Sequence, residues 1–225
     1  MITNHIESNL KTAGSFCSLP NSTVLLKLTP DAKPSWVSQY TIKPYLKTVV
    51  DEQVKKWLNS GIIEFAPPGT SWNSSLIVVA KVNELDDNIK HRVCLDPRHI
   101  NRLLMDDRYP IPRLREILDA ATGYKFFSSL DLESSFHQLK LKESSSMITS
   151  FTWKNVHYRF ISAPFGLKTL TSAFQRITSQ LFYDMPNVFV FVDDILIVSS
   201  TFNEHLLLQD PPTRRPNCGK INAVF

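Results

Sequence analysis

The 225-residue sequence predicts an α+β fold, with antiparallel strands backed by helices. Two observations carry this reading. Apolar, β-branched runs come in pairs separated by short polar breaks, residues 76–80 with 91–96 and 188–192 with 195–198, which is the pattern of hairpins. Between these runs apolar residues recur at helical spacing, as in Val50, Val54, Trp57 and Leu58. With 43% hydrophobic and 20% charged residues, the chain can fill a substantial core as one large domain or two small lobes.

The elements follow in order. Residues 1–23 lack periodicity and read as a leader or linker, and Val24 to Leu28 as a short strand. Pro30, Pro34 and Pro44 punctuate the next stretch, and the Val50 stripe then marks a helix. Asp51 and Glu52 are expected in its first turn, where carboxylates suit the helix dipole, and Gly61 is its expected stop. Residues 76–80 and 91–96 read as paired strands, with 81–90 as a polar tip. Pro112 opens a helix that aligns Leu114, Ile117, Leu118 and Ala121, and Gly123 ends it. Strands are expected from Phe126 to Asp131, over 148–153 and over 157–161, with a turn at Pro164-Phe165-Gly166. Residues 169–183 read as a helix facing Ala173, Phe174, Ile177 and Leu181 inward, and Gln175 as packing locally. After Ser200 the pattern fades, and 210–216 have no core periodicity.

Composition excludes several classes. The net charge of +4 and pI near 8.9 favour a polyanionic partner without establishing one. Only six glycines stand against 14 prolines, and neither G-x-G-x-x-G nor G-x-x-x-x-G-K-[S/T] occurs. Cys17, Cys94 and Cys218 are odd in number and far apart, which indicates neither a disulfide framework nor a zinc site. No signal-peptide core and no apolar run of about 18 residues occur, so the expectation is a soluble intracellular protein of cytoplasm or nucleus, with no membrane partner.

The pair Asp193-Asp194 interrupts an apolar run. Hairpin turns favour Asn-Gly or Asp-Gly, and two adjacent carboxylates repel unless a cation lies between them. An isolated pair of this kind would ordinarily be a solvated turn. Asp131, however, ends another strand, and three carboxylates at one sheet edge can hold two divalent ions about 3.5–4 Å apart for phosphoryl transfer.

Several blocks in consistent order carry a resemblance. They are "LTPDAKP", "VKKWLNSGIIEFAPPGTSWNSSLIVVAK", "RVCLDPRHINRLL", "SLDLESSFHQLKL", "HYRFISAPFGLKTLTSAFQRI" and "FVDDILIVSS", running from about Val24 to Ser200. Together they resemble the reverse transcriptase of gypsy-type LTR retrotransposons and, more distantly, retroviral polymerases. The resemblance implies a polymerase palm with a fingers subdomain. It implies fingers over 24–104 and 141–164, palm over 105–140 and 165–208, and an irregular, divergent tail over 209–225 with the thumb missing. Asp131, Asp193 and Asp194 would be catalytic, metal-binding residues for two magnesium ions, with manganese as a substitute. Phe136 would pack under the incoming sugar and exclude a 2′-OH. Arg92, Lys81, Phe165 and Gly166 would bind the nucleotide, and Arg98 and Phe191 would touch template or primer.

The chain departs from the family pattern in places. A second lysine after Lys81 is Val82, and Asp86 and Asp87 in the same loop are unfavourable near phosphates. The aromatic between Asp96 and Arg98 is Pro97, and the tyrosine before the paired aspartates is Phe191. The implied reaction is RNA-directed DNA synthesis: transfer of a deoxynucleotide from its triphosphate to a primer 3′-OH on an RNA or DNA template, by the chain alone or with other segments of a polyprotein. Two rivals stand beside it. One is a catalytically impaired or domesticated remnant that binds nucleic acid or protein. The other is a metal-dependent nuclease using the same carboxylates, disfavoured by the lack of a base histidine near them.

Overall fold

The computed structural model describes residues 16, 17, 19, 21–83, 86–132, 134–209 and 223–224. In chain order they form helix α1 (Pro44–Asn59) and strands β1 (Ile63–Phe65), β2 (Leu76–Asn83) and β3 (Asp86–Leu95). Helices α2 (Arg98–Leu103) and α3 (Leu114–Ala120), strand β4 (Phe126–Leu132) and a 3-10 helix (Ser135–Gln138) follow. Then come α4 (Glu143–Ile148), β5 (Phe151–Trp153), β6 (Val156–Phe160) and α5 (Leu170–Leu181). Strands β7 (Val188–Phe191) and β8 (Asp194–Ser199), helix α6 (Phe202–Gln209) and β9 (Ala223–Val224) complete the order. All strand ladders are antiparallel, so the fold is α+β. Among the described residues, no helix is long and apolar enough to cross a membrane.

The described residues divide into two compact units. The first draws on residues up to Ser22, on Asp107–Leu139 and on the chain from Thr171 onward; the second is Thr23–Asp106 with Lys140–Leu170. Phe165 and Gly166, attached by the sequence reading to the Asp-Asp segment, therefore group with the second unit.

The second unit is organised by an aromatic core. Strands pair in the order β1-β6-β5, which sets Phe160 opposite Ile63 and Tyr158 opposite Phe151. Phe151 is fully buried, stacks on Tyr158, and meets Trp57 and Phe160 edge-on or tilted. The β5–β6 turn is Lys154-Asn155, both at positive φ, as a type I′ hairpin requires. Arg159 on β6 is buried against Glu64 and Glu143, which compensate its charge. Truncating Phe151 to Ala removes the ring that three aromatic neighbours enclose. We expect it to cost about 3–5 kcal/mol in a urea titration, and a loss under 1 kcal/mol would contradict a core centred on this ring.

Some elements differ from the sequence reading. Helix α1 starts at Pro44, because proline is preorganised for the first helical turn. Asp51 is thus a turn further in than expected, and accepts hydrogen bonds from Trp153 Nε1 (2.8 Å) and Lys154 Nζ (2.7 Å) rather than facing the helix N-terminus. Val24 and Leu28 make single bridges to different neighbours, Leu141 and Leu104, so no strand ladder forms. The polar segment 81–90 is mostly hairpin arm, with β2 reaching Asn83 and β3 starting at Asp86. Ile148 closes helix α4, and β5 begins only at Phe151. The expected irregular tail lies mostly outside the described residues; of it, Ala223–Val224 pair with Leu132 and Asp131 as an edge strand.

In the first unit the sheet order is β7-β8-β4-β9. Val188, Val190, Ile195, Ile197 and Val198 are buried on it, and α5 buries Ala173, Phe174, Ile177 and Leu181, the stripe its periodicity predicts. The helix is also tied to its own unit by polar contacts. Ser172 Oγ donates to the Asp107 carbonyl (2.8 Å), Arg176 pairs with the Asp107 carboxylate (2.5 Å), and its guanidinium lies 5.0 Å over the Tyr109 ring.

Candidate active site

Strand register brings the first unit's carboxylates together. β4 runs antiparallel to β8, and the last pair of that ladder is Asp131 opposite Asp194. Directly opposed strand residues stand about 4.5–5.5 Å apart, within reach of both side chains. Asp193 sits in the adjoining turn, where its carbonyl accepts from the Leu132 N–H (3.3 Å) and its carboxylate from Ser135 Oγ (3.3 Å). Ser135 is buried in the 3-10 helix after β4, a contact that no sequence spacing announces.

Electrostatics show the cost of this grouping. Loss of hydration pushes the Asp194 carboxyl above its ordinary range, and the charges of Asp193 and Asp131 push it the same way. A cation relieves that repulsion, and an all-carboxylate donor set suits hard divalent ions. Among the described residues, no three His, Cys, Asp or Glu side chains are already gathered as a metal cluster. The backbone register places Asp131 and Asp194 at one strand end, with Asp193 in the adjoining turn.

The turn itself differs from the expected Asp-Asp turn. Phe191 pairs with Asp194, so the two central residues are Val192 and Asp193, and Asp194 is the first residue of β8. Val192 has φ +58°, whereas Asp193 is not among the residues at positive φ. Positive φ at the first central position alone is the type II′ pattern, which ordinarily takes glycine there. A β-branched residue in this conformation is strained and persists only where its surroundings hold it.

Gln175 supplies that hold, contrary to the expectation that it packs locally. The residue is 2% exposed on α5. Oε1 accepts from the Val192 N–H (2.6 Å), and Nε2 donates to the Val190 carbonyl (3.1 Å) and to Ser179 Oγ (3.0 Å). Phe136 is half-buried on the 3-10 helix and meets Phe174 of α5 edge-on, ring centroids 5.4 Å apart. Phe191 is half-buried on β7.

The second unit holds the other candidates. Arg92 is exposed on β3, opposite Val79 on β2. Lys81 pairs in register with Lys90, and its side chain lies outside the described residues. Phe165 is exposed, and Gly166 has φ +94°. A Cβ at Gly166 would stand 2.9 Å from Pro97 Cγ, so glycine is required both by conformation and by space. Asn101 pins this loop: its Nδ2 donates to the Gly166 carbonyl, and its Oδ1 accepts from the Lys168 N–H, each at 2.9 Å.

Arg98 is committed to Asp96. Its Nε and Nη2 donate to the Asp96 carboxylate at 2.9 and 2.7 Å, and Tyr40 OH adds a bond at 3.2 Å. Arg98 holds the buried Asp96 carboxyl below its usual range. A carboxylate with a depressed folded pKa stabilises above the unfolded pKa, and this contribution is lost as pH falls through the folded one. We expect the urea-midpoint gap between the chain and its Asp96→Asn variant to be wider at pH 7 than at pH 3, and to go on narrowing at lower pH. A gap independent of pH would contradict the assignment.

The chain is similar to known proteins. The family model for reverse transcriptase (RNA-dependent DNA polymerase) matches residues 80–211. The Retrovirus-related Pol polyprotein from transposon 297 of Drosophila melanogaster is 34% identical over 180 residues, covering 79% of this chain and 17% of that protein. The corresponding polyprotein from transposon gypsy of the same species is 33% identical over 181 residues, again 79% of this chain and 17% of the relative. The chain thus spans under a fifth of these relatives' length. Among solved structures, a foamy viral protease-reverse transcriptase in complex with an RNA/DNA hybrid matches 86% of this chain and 25% of its own. It does so with a TM-score of 0.74 at 23% identity, which is a likeness of fold.

Proposed function

The chain belongs to the reverse transcriptase (RNA-dependent DNA polymerase) family, and on that premise we propose that it carries the nucleotidyl-transfer centre of a retrotransposon polymerase. The observation that carries this reading is the register pair of Asp131 and Asp194, with Asp193 in the turn beside them. The reaction is attack of a primer 3′-oxygen on the α-phosphorus of a deoxynucleoside triphosphate, with loss of pyrophosphate, directed by an RNA or DNA template.

Asp131, Asp193 and Asp194 would hold divalent metal, with magnesium the expected ion and manganese a substitute. Bound there, the metal supplies positive charge for the attacking and leaving oxygens. The chain's own part is to hold its carboxylates at fixed positions, since positioning and charge carry most of phosphoryl transfer. Phe136 contributes bulk where a ribose 2′-OH would lie. The family resemblance assigns nucleotide binding to Arg92, Lys81, Phe165 and Gly166, all of the second unit, and primer contact to Phe191 of the first unit. Arg98, engaged by Asp96, is the weakest of the proposed nucleic-acid contacts.

Primer extension tests the proposal. The chain should add deoxynucleotides to a primed RNA or DNA template when magnesium is present, and stop when it is chelated. Metal-dependent cutting of the template without extension would favour a nuclease instead.

A further inference from the structure

The buried amide of Gln175 has no part in the chemistry just described, yet both its oxygen and its nitrogen bond the hairpin that carries Asp193 and Asp194. We propose that Gln175 is a positioning residue. It locks Val192 in its left-handed conformation and so fixes the direction in which the two aspartates leave the turn. The inference rests on the polymerase reading for its consequence, though not for the lock itself.

Three observations support it. First, the orientation of the amide is determined by its partners: the Val192 N–H needs the oxygen, and the Val190 carbonyl needs the NH2 group. The two contacts straddle Phe191, so the amide grips the backbone just before the turn and at its first central residue. Second, Val192 is the residue in need of support. Its φ of +58° is unfavourable for a β-branched side chain, and relaxing to negative φ would rotate the peptide leading into Asp193. Third, the platform is anchored. Gln175 sits on α5 between Ser172 and Arg176, both bound to Asp107, and Ser179 steadies its Nε2. A side chain meant only to fill space needs none of these bonds, and a methionine of similar length would pack more cheaply in an apolar setting.

The strain and the clamp must therefore be coupled, which separates positioning from mere packing. The test uses the full chain with Gln175→Met, Val192→Gly and the double variant. Gln175→Met should speed amide hydrogen exchange at Val192 about tenfold, a readout independent of activity. In primer extension it should lower kcat about 10- to 100-fold, as displaced reacting groups do. The KM for the deoxynucleotide should stay within about threefold, and half-maximal rate should need more magnesium. Glycine takes positive φ without strain, so in the Val192→Gly background the kcat loss from Gln175→Met should shrink severalfold.

Unchanged exchange at Val192 would overturn the lock. Faster exchange with unchanged kcat and magnesium dependence would overturn its role in positioning. Equal losses in both backgrounds would show that Gln175 acts only through folding. Should Gln175→Met not fold, Gln175→Glu keeps the acceptor and loses the NH2 donor. It should then show the same changes at smaller size, and no change in either readout would reject the proposal. If the unaltered chain extends no primer, the polymerase reading fails, and the exchange comparison alone decides the lock.

Discussion

Replacing Asp194 with Asn should lower primer extension about a thousandfold, equivalent to about 4 kcal/mol of transition-state stabilisation. It should leave the fold at least as stable as before. The two effects run in opposite directions for one reason. In the folded chain Asp194 loses hydration and faces the charges of Asp193 and Asp131, which push its carboxyl above the ordinary range. An acid whose folded pKa is raised destabilises the fold when ionised at neutral pH, so removing the charge relieves the sheet end. On the proposed function, removing it would also take away a ligand to the metal. Asp131→Asn and Asp193→Asn should lose activity on the same scale if, as proposed, the three carboxylates act as one set. Magnesium should raise the melting temperature of the unaltered chain and do so less in each variant, by simple linkage. If an Asn variant keeps more than a tenth of the activity, that aspartate does not hold the metal.

The fold was readable in the sequence where one periodicity dominated. The α5 stripe of Ala173, Phe174, Ile177 and Leu181 is buried as its spacing predicts, and the β-branched runs beside Asp193 form the expected strands. Reading failed where a residue's chemistry and its conformation disagree. Val192 looks like a strand residue and occupies a turn, whereas Asp194 looks like a turn residue and opens a strand. Only the Phe191–Asp194 register reveals the exchange. Ile148 is apolar and β-branched yet ends a short helix, because burial and not local preference decides its environment.

The site was legible to different degrees. Asp131 lies far from Asp193 in sequence, and no spacing rule joins them; the block order of the family resemblance did, and the β4–β8 ladder then sets Asp131 against Asp194. The contacts of Ser135 and Gln175 were not legible, because a polar residue in a helix carries no mark of a partner on a distant strand. Pro97 illustrates the converse. It departs from the family pattern, and its ring fills the space that a side chain at position 166 would need, which links the departure to Gly166.

Phe136→Ala should allow the chain to accept ribonucleotides, with the preference for deoxynucleotides falling by about a hundredfold. Sugar selection of this kind works by excluded volume. A ring beneath the sugar leaves no space for an added hydroxyl, and such rejection is built from clash rather than attraction. The geometry also offers a competing role, since the Phe136 ring is half-buried and packs edge-on against Phe174. Truncation will therefore cost some stability as well, about 1–3 kcal/mol for a partly buried ring. The two roles separate in the ratio of kcat/KM for ribo- and deoxynucleotides, because a loss of folded protein lowers both alike and leaves the ratio unchanged. Phe136→Tyr serves as the control: it retains the bulk and should retain the discrimination. A constant ratio across all three proteins would assign Phe136 to the core alone, and sugar selection would then have to reside in another residue.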